Sequence, residues 1–360
     1  MSTAMSTTAK IKGYCVQCGS LCPAIFHVKD GIFIKAEPDR EHPNSNPLCP
    51  KGAAAPELVY DKQRLRYPMR RTRPKGEPDP GWERITWDDA LDTVASRLNE
   101  IKAEFGPEAV VFNRSGPGGS PSSDFNDWVS RLAHAFGTPN VLATGHVCQW
   151  HRDTGSTYTY GRGGIGVPEF EQAACILIWG TNPQATSRTR HRAIQRAQAR
   201  GAKLIVIDPR HTETAARADL WLQIRPGTDG ALALSMINTL IEEELYDSEF
   251  TSEWTTAPFL VRRDNGDLLR AGELSGKKGQ PGYVVWDTAS QSPKAYDAAS
   301  LKPALKGTYT VTLASGEGLV CDTVFERLTE LSGQYPAGRG AEICGVAEEQ
   351  IKQAARMLAT

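Results

Sequence analysis

Short apolar runs alternate with amphipathic stretches through the middle of the chain, and that alternation predicts the fold. Ala109 to Phe112 reads as a strand. A Gly/Ser/Pro loop from Gly116 to Ser123 follows, then a run with Trp128, Leu132 and Phe136 at helical spacing, then the strand Val141 to Ala143. A second such unit runs from the strand Cys175 to Trp179, through the loop Gly180 to Pro183 and a basic helix around Ile194 and Ala197, to the strand Lys203 to Ile207. A third strand, Leu220 to Ile224, leads through Arg225 to Asp229 into a helix from Ala231 to Leu245. Strands that are apolar throughout are buried on both faces, and strands separated by helices pair in parallel. The pattern therefore predicts an α/β fold built on parallel, Rossmann-like sheets.

On either side of this region the pattern changes. Residues 1–70 hold short β-like stretches, Ile25 to Val28 and Ile32 to Ala36, among turn-forming prolines and asparagines, and read as a small separate domain. A connector rich in Pro, Gly and Arg, from Arg70 to Gly81, precedes a helix capped by Thr86 to Asp89, whose Ala90, Leu91, Val94, Leu98 and Ile101 follow helical spacing. Residues 71–140 are expected to form the first part of the α/β region and 141–257 the Rossmann-like domain. Residues 258–320, with pieces such as Tyr283 to Trp286, read as a β-rich surface insertion, and 321–360 as a helical return to the α/β region. One hydrophobic core stops growing at roughly 250–300 residues, so a chain of 360 is expected to have more than one domain.

Lysine and arginine number 41 against 42 acidic residues, a net charge of −1, which provides no field to draw nucleic acid or an anionic membrane. The amino-terminal stretch lacks an apolar signal core and a twin-arginine pair, and no run of 18 apolar residues occurs. A cytoplasmic chain without a membrane span is expected. In that compartment the eight cysteines stay reduced, which favours ligation over disulfides.

Four of these cysteines are grouped. Cys15, Cys18 and Cys22 lie in Cys15-Val-Gln-Cys-Gly-Ser-Leu-Cys22, and Cys49 opens Cys49-Pro-Lys-Gly52. Three thiolates on one tight loop can wrap one face of a cubane while a distant fourth closes the other side, which is the ligand supply of a 4Fe-4S cluster. A tetrahedral zinc ion also takes four thiolates, but its ligands usually arrive as two closely spaced pairs, which a trio plus a single fits poorly. Residues 1–70 are thus expected to form an iron-sulfur domain of a redox enzyme.

Ligands of parallel sheets sit beyond the carboxyl ends of the strands, where loops open into helix amino termini. Gly180 and Gly227 in those loops allow close backbone approach, Asn182 can bond a base or sugar edge, Asp208 can accept from a ribose hydroxyl or a guanine nitrogen, and helix N-termini favour phosphate. Together the loops read as a nucleotide site. No Gly-x-Gly-x-x-Gly follows the strand at Cys175, so the site is not an ordinary dinucleotide fold; Gly161 to Gly166 is glycine-rich but precedes that strand and reads as a mobile loop. Asp229 serves equally well as a simple cap of the helix after it.

In chain order, the cysteine motif with Cys49-Pro-Lys-Gly52, Trp82-Glu-Arg-Ile-Thr-Trp-Asp-Asp-Ala-Leu91, Trp179-Gly-Thr-Asn-Pro183, Ile207-Asp-Pro-Arg210 and Arg225-Pro-Gly-Thr-Asp-Gly-Ala-Leu232 resemble the molybdopterin oxidoreductases of the dimethyl sulfoxide reductase type. The match runs from about residue 11 to 250. The resemblance implies a molybdenum or tungsten ion held by two pterin guanine dinucleotides beside a 4Fe-4S cluster. It implies that Lys51, between cluster and pterin, serves electron transfer, and that Gly180, Thr181, Asn182, Asp208, Arg210, Gly227 and Asp229 line one dinucleotide in the 141–257 domain. An ammonium beside an anionic cluster and a pterin would stabilise their reduced states. Catalytic subunits of this type are much longer than this chain, and their further part supplies a β-barrel domain and much of the second dinucleotide's site. Loading with both dinucleotides would then need further sequence or a partner chain.

The same resemblance puts a protein ligand of the metal in the loop Ala143-Thr-Gly-His-Val-Cys148. Cys148 is the candidate, because it follows a strand at the ligand-binding end of the sheet and a soft thiolate suits a metal already bound by sulfur. His151 is the candidate for proton transfer, since a neutral imidazole exchanges a proton near physiological pH. Cys175, Cys321 and Cys344 read as inert buried thiols. Gln149 follows Cys148 where formate dehydrogenases of the family usually carry histidine, which disfavours formate. The leading expectation is a redox catalyst that moves electrons between a small substrate at the metal and an external partner, for which the family suggests a small iron-sulfur subunit. The alternative is a non-redox hydratase of the acetylene hydratase type, with the metal as Lewis acid. Acetylene hydratase carries an aspartate beside its second cluster cysteine, and Gly19 stands there in this chain.

Overall fold

A computed structural model describes residues 8–18, 21–43, 45, 47–114, 125–143, 150–161, 168–277, 279–297 and 300–359. The chain divides into two compact units, Met1–Glu169 with Ala185–Ala193, and Phe170–Gln184 with Ile194–Thr360.

The first unit opens with an antiparallel sheet of β1 (Thr8–Tyr14), β2 (Pro23–Lys29) and β3 (Ile32–Pro38), in that order. Asp30 and Gly31, with φ of 49° and 80°, make the two-residue turn between β2 and β3, a pairing that matches the twist of the flanking strands. Pairing of Tyr14 with Pro23 puts the cysteine run in the loop that joins β1 to β2. Two short helices follow, α1 (Pro50–Ala53) and α2 (Ala55–Val59), then the hairpin of β4 (Met69–Arg71) and β5 (Trp82–Arg84). Helix α3 (Trp87–Phe105) begins where the sequence predicts, because Thr86 and Asp89 cap it reciprocally: the Asp89 N–H donates to Thr86 Oγ1 at 3.1 Å and the Thr86 N–H to Asp89 Oδ2 at 3.4 Å.

The same unit contains β6 (Phe112–Arg114), α4 (Phe125–Phe136), β7 (Val141–Ala143) and α5 (Trp150–Tyr160), with β6 and β7 parallel. One sequence expectation is corrected here. The first strand starts at Phe112 rather than Ala109, because Gly106 turns the chain at φ 84° and Pro107 to Ala109 form a single tight turn. In α3, Leu91 and Val94 of the apolar stripe are 60% and 57% exposed.

In the second unit, β8 (Cys175–Trp179), β9 (Lys203–Ile207) and β10 (Leu220–Leu222) form a parallel sheet in the order β10-β9-β8. Between β8 and β9 run α6 (Pro183–Thr186) and α7 (Arg188–Ala199), and α8 (Asp229–Glu242) follows β10. Both faces of β9 are buried. Leu204 and Val206 pack with Ile194 and Ala197 of α7, and Ile205 and Ile207 pack with Leu232 and Met236 of α8, which is why the strand sequence is apolar without alternation.

After α9 (Ser248–Glu253) comes the β-rich part: β11 (Leu260–Arg262), α10 (Ala271–Ser275), the hairpin β12 (Val284–Asp287) and β13 (Ser292–Ala295), then β14 (Thr308–Thr312) and β15 (Gly318–Thr323), with β15 paired between β11 and β14. The chain returns to the parallel sheet through α11 (Val324–Gly333), α12 (Ala337–Cys344) and α13 (Glu348–Leu358), whose Cys344, Ile351, Ala354 and Ala355 join the core against α8 and β9. No helix among the described residues is long and apolar enough to cross a membrane.

Candidate functional site

The cysteine loop is closed at its base by the Cys15 N–H, which donates to the Cys22 carbonyl at 2.9 Å, one step beyond the last pair of the β1–β2 ladder. Within the loop the Leu21 N–H donates to the Cys18 carbonyl at 3.4 Å. Leu21 has a left-handed φ of 44°, a strained conformation for a leucine that turns the chain sharply between Cys18 and Cys22.

Cys49 stands just before α1, in extended conformation, and its carbonyl accepts from the Ala53 N–H at 3.0 Å. Pro50 fits the first helical position, where its missing donor is not needed. Gly52 in α1 is buried against the loop: a Cβ there would lie 3.2 Å from Cys15 Sγ and 3.5 Å from Leu48 Cδ2. The absent side chain is what lets α1 approach Cys15, and this is the physical content of the glycine in Cys49-Pro-Lys-Gly52.

Cys22 is buried while Cys15, Cys18 and Cys49 are half-buried. Burial pushes the Cys22 thiol above its usual range, and the charges of Cys15, Cys18 and Cys49 push it further, so all four sulfurs share one neighbourhood. Among the described residues, no three His, Cys, Asp or Glu side chains are gathered tightly enough for one metal ion. A zinc ion requires all its thiolates at bonding distance of a single atom, whereas a cubane takes one at each of its iron corners. Three cysteines on one loop and a fourth just before α1 suit the corner-by-corner ligation of a cubane. Lys51 is exposed on α1, next to Gly52.

Cys148 lies outside the described residues, as do the rest of the loop 144–149, residues 115–124 and residues 162–167 of the glycine-rich stretch. His151 belongs to α5, and its side chain also falls outside them.

In the second unit the loops after β8, β9 and β10 are braced to one another. Gly180, at φ 62°, donates its N–H to the Ile207 carbonyl at 2.9 Å, extending the β8–β9 ladder. Gly227 has φ 83°, and no atom lies within 4 Å of a Cβ built at either glycine. Backbone conformation, not crowding, requires glycine at both positions. Asn182 is a brace: its Oδ1 accepts from Thr214 Oγ1 at 2.6 Å and its Nδ2 donates to Glu213 at 2.9 Å. That bond is the main reason the Glu213 carboxyl is held below its usual range.

Asp208 caps its own turn, its Oδ1 accepting from the Arg210 N–H at 2.8 Å, while its carbonyl accepts from Trp221 Nε1 at 2.9 Å. Asp229 is the first residue of α8 rather than its cap, a position held by Thr228. Its Oδ1 accepts from Trp179 Nε1 at 2.6 Å. Gly180, Thr181, Arg210 and Gly227 are exposed at the ends of the strands, and the Arg210 guanidinium is a group that could pair with an anion.

Sequence reasoning missed four of these partners. Trp179 gives a signal, since an indole N–H at a half-buried strand end needs an acceptor. Glu213, Thr214 and Arg225 give none. Arg225 donates to the Ile343 carbonyl at 2.7 Å and through its backbone to the Cys344 carbonyl at 2.8 Å, filling the unpaired carbonyls at the end of α12 from far away in sequence.

Comparison with known proteins agrees with this layout. Residues 64–345 match the family model of molybdopterin oxidoreductase, and residues 8–61 match that of the molybdopterin oxidoreductase Fe4S4 domain. The chain is similar to perchlorate reductase subunit alpha of Dechloromonas aromatica, 29% identical over 96% of this chain and 41% of that one. It is similar to dimethylsulfide dehydrogenase subunit alpha of Rhodovulum sulfidophilum, 28% identical over 96% of this chain and 39% of that one. Among solved structures, acetylene hydratase from Pelobacter acetylenicus matches with a TM-score of 0.64 at 28% identity, over 96% of this chain and 38% of the other. The chain thus spans about two fifths of the length of the relatives it matches. The two family matches indicate a molybdenum or tungsten pterin cofactor and a 4Fe-4S cluster. This chain belongs to the molybdopterin oxidoreductases and bears their Fe4S4 domain at its amino-terminal end.

Proposed function

We propose that this chain is the cluster- and pterin-binding part of a molybdenum- or tungsten-dependent oxidoreductase that moves electrons between a small substrate and an external partner. The observation that carries the reading is the joint presence, in one chain, of a four-cysteine cage packed against Gly52 and three braced loops at the carboxyl ends of a parallel sheet. The bound metal supplies the site at which substrate exchanges electrons, and the cluster accepts or delivers them singly.

The chain's own residues hold and orient these groups. Cys15, Cys18, Cys22 and Cys49 ligate the cluster. Gly180, Thr181, Asn182, Asp208, Arg210, Gly227 and Asp229 receive one pterin guanine dinucleotide, with Asn182 and Asp229 holding the loops in place and Arg210 facing the phosphates. Lys51 bridges cluster and pterin as a cation, Cys148 is the protein ligand of the metal, and His151 exchanges the substrate proton. A second dinucleotide, a small iron-sulfur partner subunit and cytoplasmic residence belong to the same proposal.

Similarity to acetylene hydratase supports a second reading, a hydratase in which the metal acts as a Lewis acid. The test is an assay on anaerobically purified protein with and without an artificial electron acceptor or donor. Turnover that needs one supports the oxidoreductase. Product formed without one supports the hydratase and overturns the electron-transfer roles of Lys51 and the cluster.

A further inference from the structure

The segment that leaves α2 carries a charge the rest of the chain does not. Between residues 62 and 84 stand eight Lys and Arg against three Glu and Asp, a net +5 in a chain whose total is −1. Arg64 Nη1 donates to the Leu58 carbonyl of α2 at 3.4 Å, which ties the segment to the helices that follow Cys49. The β4–β5 hairpin then sorts its groups by face. The register sets Met69 opposite Arg84, Arg70 opposite Glu83 and Arg71 opposite Trp82, and side chains alternate between faces along a strand. One face takes Arg70 with Glu83, an ion pair at 3.1 Å. The other takes Met69, Arg71, Trp82 and Arg84, and no carboxylate. Arg84 lies 3.3 Å over the Tyr67 ring and Arg71 5.5 Å over Trp82, so aromatic rings hold both guanidiniums in place. Tyr67, Met69 and Trp82 are exposed. Arg66 and Lys75 flank the strand, are exposed, and make no ion pair among the described residues.

Centres of protein interfaces are enriched in Tyr, Trp, Met and Arg and poor in Lys, Asp and Glu. This face has that composition, with its arginines already ordered and further cations at its rim. Nucleic acid is gripped mainly through its phosphates, and a chain of net charge −1 exerts no long-range pull on such polyanions. We infer that this face of the β4–β5 hairpin docks a protein electron carrier with an acidic surface. The inference rests on the oxidoreductase reading above and deepens it by naming the surface and charge of the external partner. Arg71 and Arg84 meet the carrier's carboxylates, Tyr67, Met69 and Trp82 meet its apolar groups, and Arg66 and Lys75 steer its approach.

The test uses the anaerobically purified holoprotein and, as probe, an acidic 2Fe-2S ferredoxin immobilised on a biosensor surface. Association and dissociation rates are read at low and at physiological salt. Wild type is expected to bind, with an association rate that falls as salt rises. The double variant Arg66→Glu with Lys75→Glu is expected to associate about tenfold more slowly at low salt, to lose most of the salt dependence, and to dissociate as wild type does. Trp82→Ala is expected to dissociate about tenfold faster with its association rate unchanged. If that variant fails to fold by circular dichroism, Met69→Ser is read by the same criterion. Lys277→Glu, in the β-rich part, is expected to match wild type. Wild type that does not bind the ferredoxin, binding that ignores the hairpin substitutions, or an equal loss in Lys277→Glu overturns the proposal. So does binding to duplex DNA or to phosphatidylglycerol vesicles that is tighter than to the ferredoxin and abolished by the same charge reversal. Iron and sulfide assays on the same preparation judge the cluster reading separately: protein without iron overturns that reading, while the docking face stands or falls on the rates.

Discussion

Trp179 Nε1 donates to Asp229 Oδ1 at 2.6 Å, joining the last residue of β8 to the first residue of α8 across 50 positions of sequence. With Asn182 bonded to Thr214 and Glu213, this bond braces the loops after β8, β9 and β10, so on the proposed reading less ordering remains to be done when a nucleotide binds. Asp229→Ala is expected to lower stability by about 1 kcal/mol and to reduce the pterin retained per chain, while Asp229→Asn, which keeps the acceptor, loses less of both. Urea denaturation and fluorescence of released, oxidised pterin measure the two. Full pterin retention in the alanine variant would remove Asp229 from the site.

Gly180 and Gly227 are held at φ 62° and 83° with open space where a Cβ would sit. Substitution by alanine is therefore expected to cost conformational strain alone, about 1–2 kcal/mol at each position. Thermal or chemical unfolding of the single variants checks this, and a neutral or stabilising alanine would contradict the positive φ.

Gly52 presents the opposite case. Its α-carbon packs against Cys15, so a methyl group at 3.2 Å from Sγ must displace the cysteine loop or α1 by a few tenths of an ångström. Gly52→Ala is expected to fold but to lose iron faster under air or chelator, and Gly52→Leu to assemble little cluster. Iron per chain after timed exposure to chelator decides it. A leucine variant with full iron would show that the approach of α1 is unimportant.

The pH dependence of the first unit is expected to carry the mark of Glu37. Lys35 Nζ lies 2.8 Å from Glu37 Oε2 and His27 Nε2 lies 2.8 Å from Oε1, and the Lys35 bond first, then His27, hold the carboxyl down to about 2 from an ordinary 4.5. A carboxyl depressed in the folded state contributes stability that is complete above its unfolded value and is lost as pH falls through the folded one. The stability difference between wild type and Lys35→Met should therefore be largest above about pH 4.5 and vanish toward pH 2. A difference that does not vary over that window contradicts the pairing.

What the sequence made legible follows from where the physics is local. β8 and β9 stand out because helices cover both of their faces, so Leu204 to Ile207 are all apolar. The cysteine spacing is equally plain, since three ligands sit on one short loop. β1 was not legible: its Thr8 to Tyr14 stretch is mostly exposed and interleaves Lys10 and Lys12 with Ala9 and Ile11, and pairing with β2 is what makes it a strand. The loops after β8, β9 and β10 were legible but their inner bonds were not, because Trp179 with Asp229, Asn182 with Thr214, and Arg225 with Ile343 are contacts between segments distant in sequence.

The central claim is that Cys15, Cys18, Cys22 and Cys49 hold one iron cubane. Iron, sulfide and zinc content of the anaerobically purified protein, compared with Cys22→Ser, tests it most directly. The account predicts about four irons and four sulfides per chain, a reduced-state paramagnetic signal, and loss of both in the variant. Stoichiometric zinc with no iron or sulfide would contradict it.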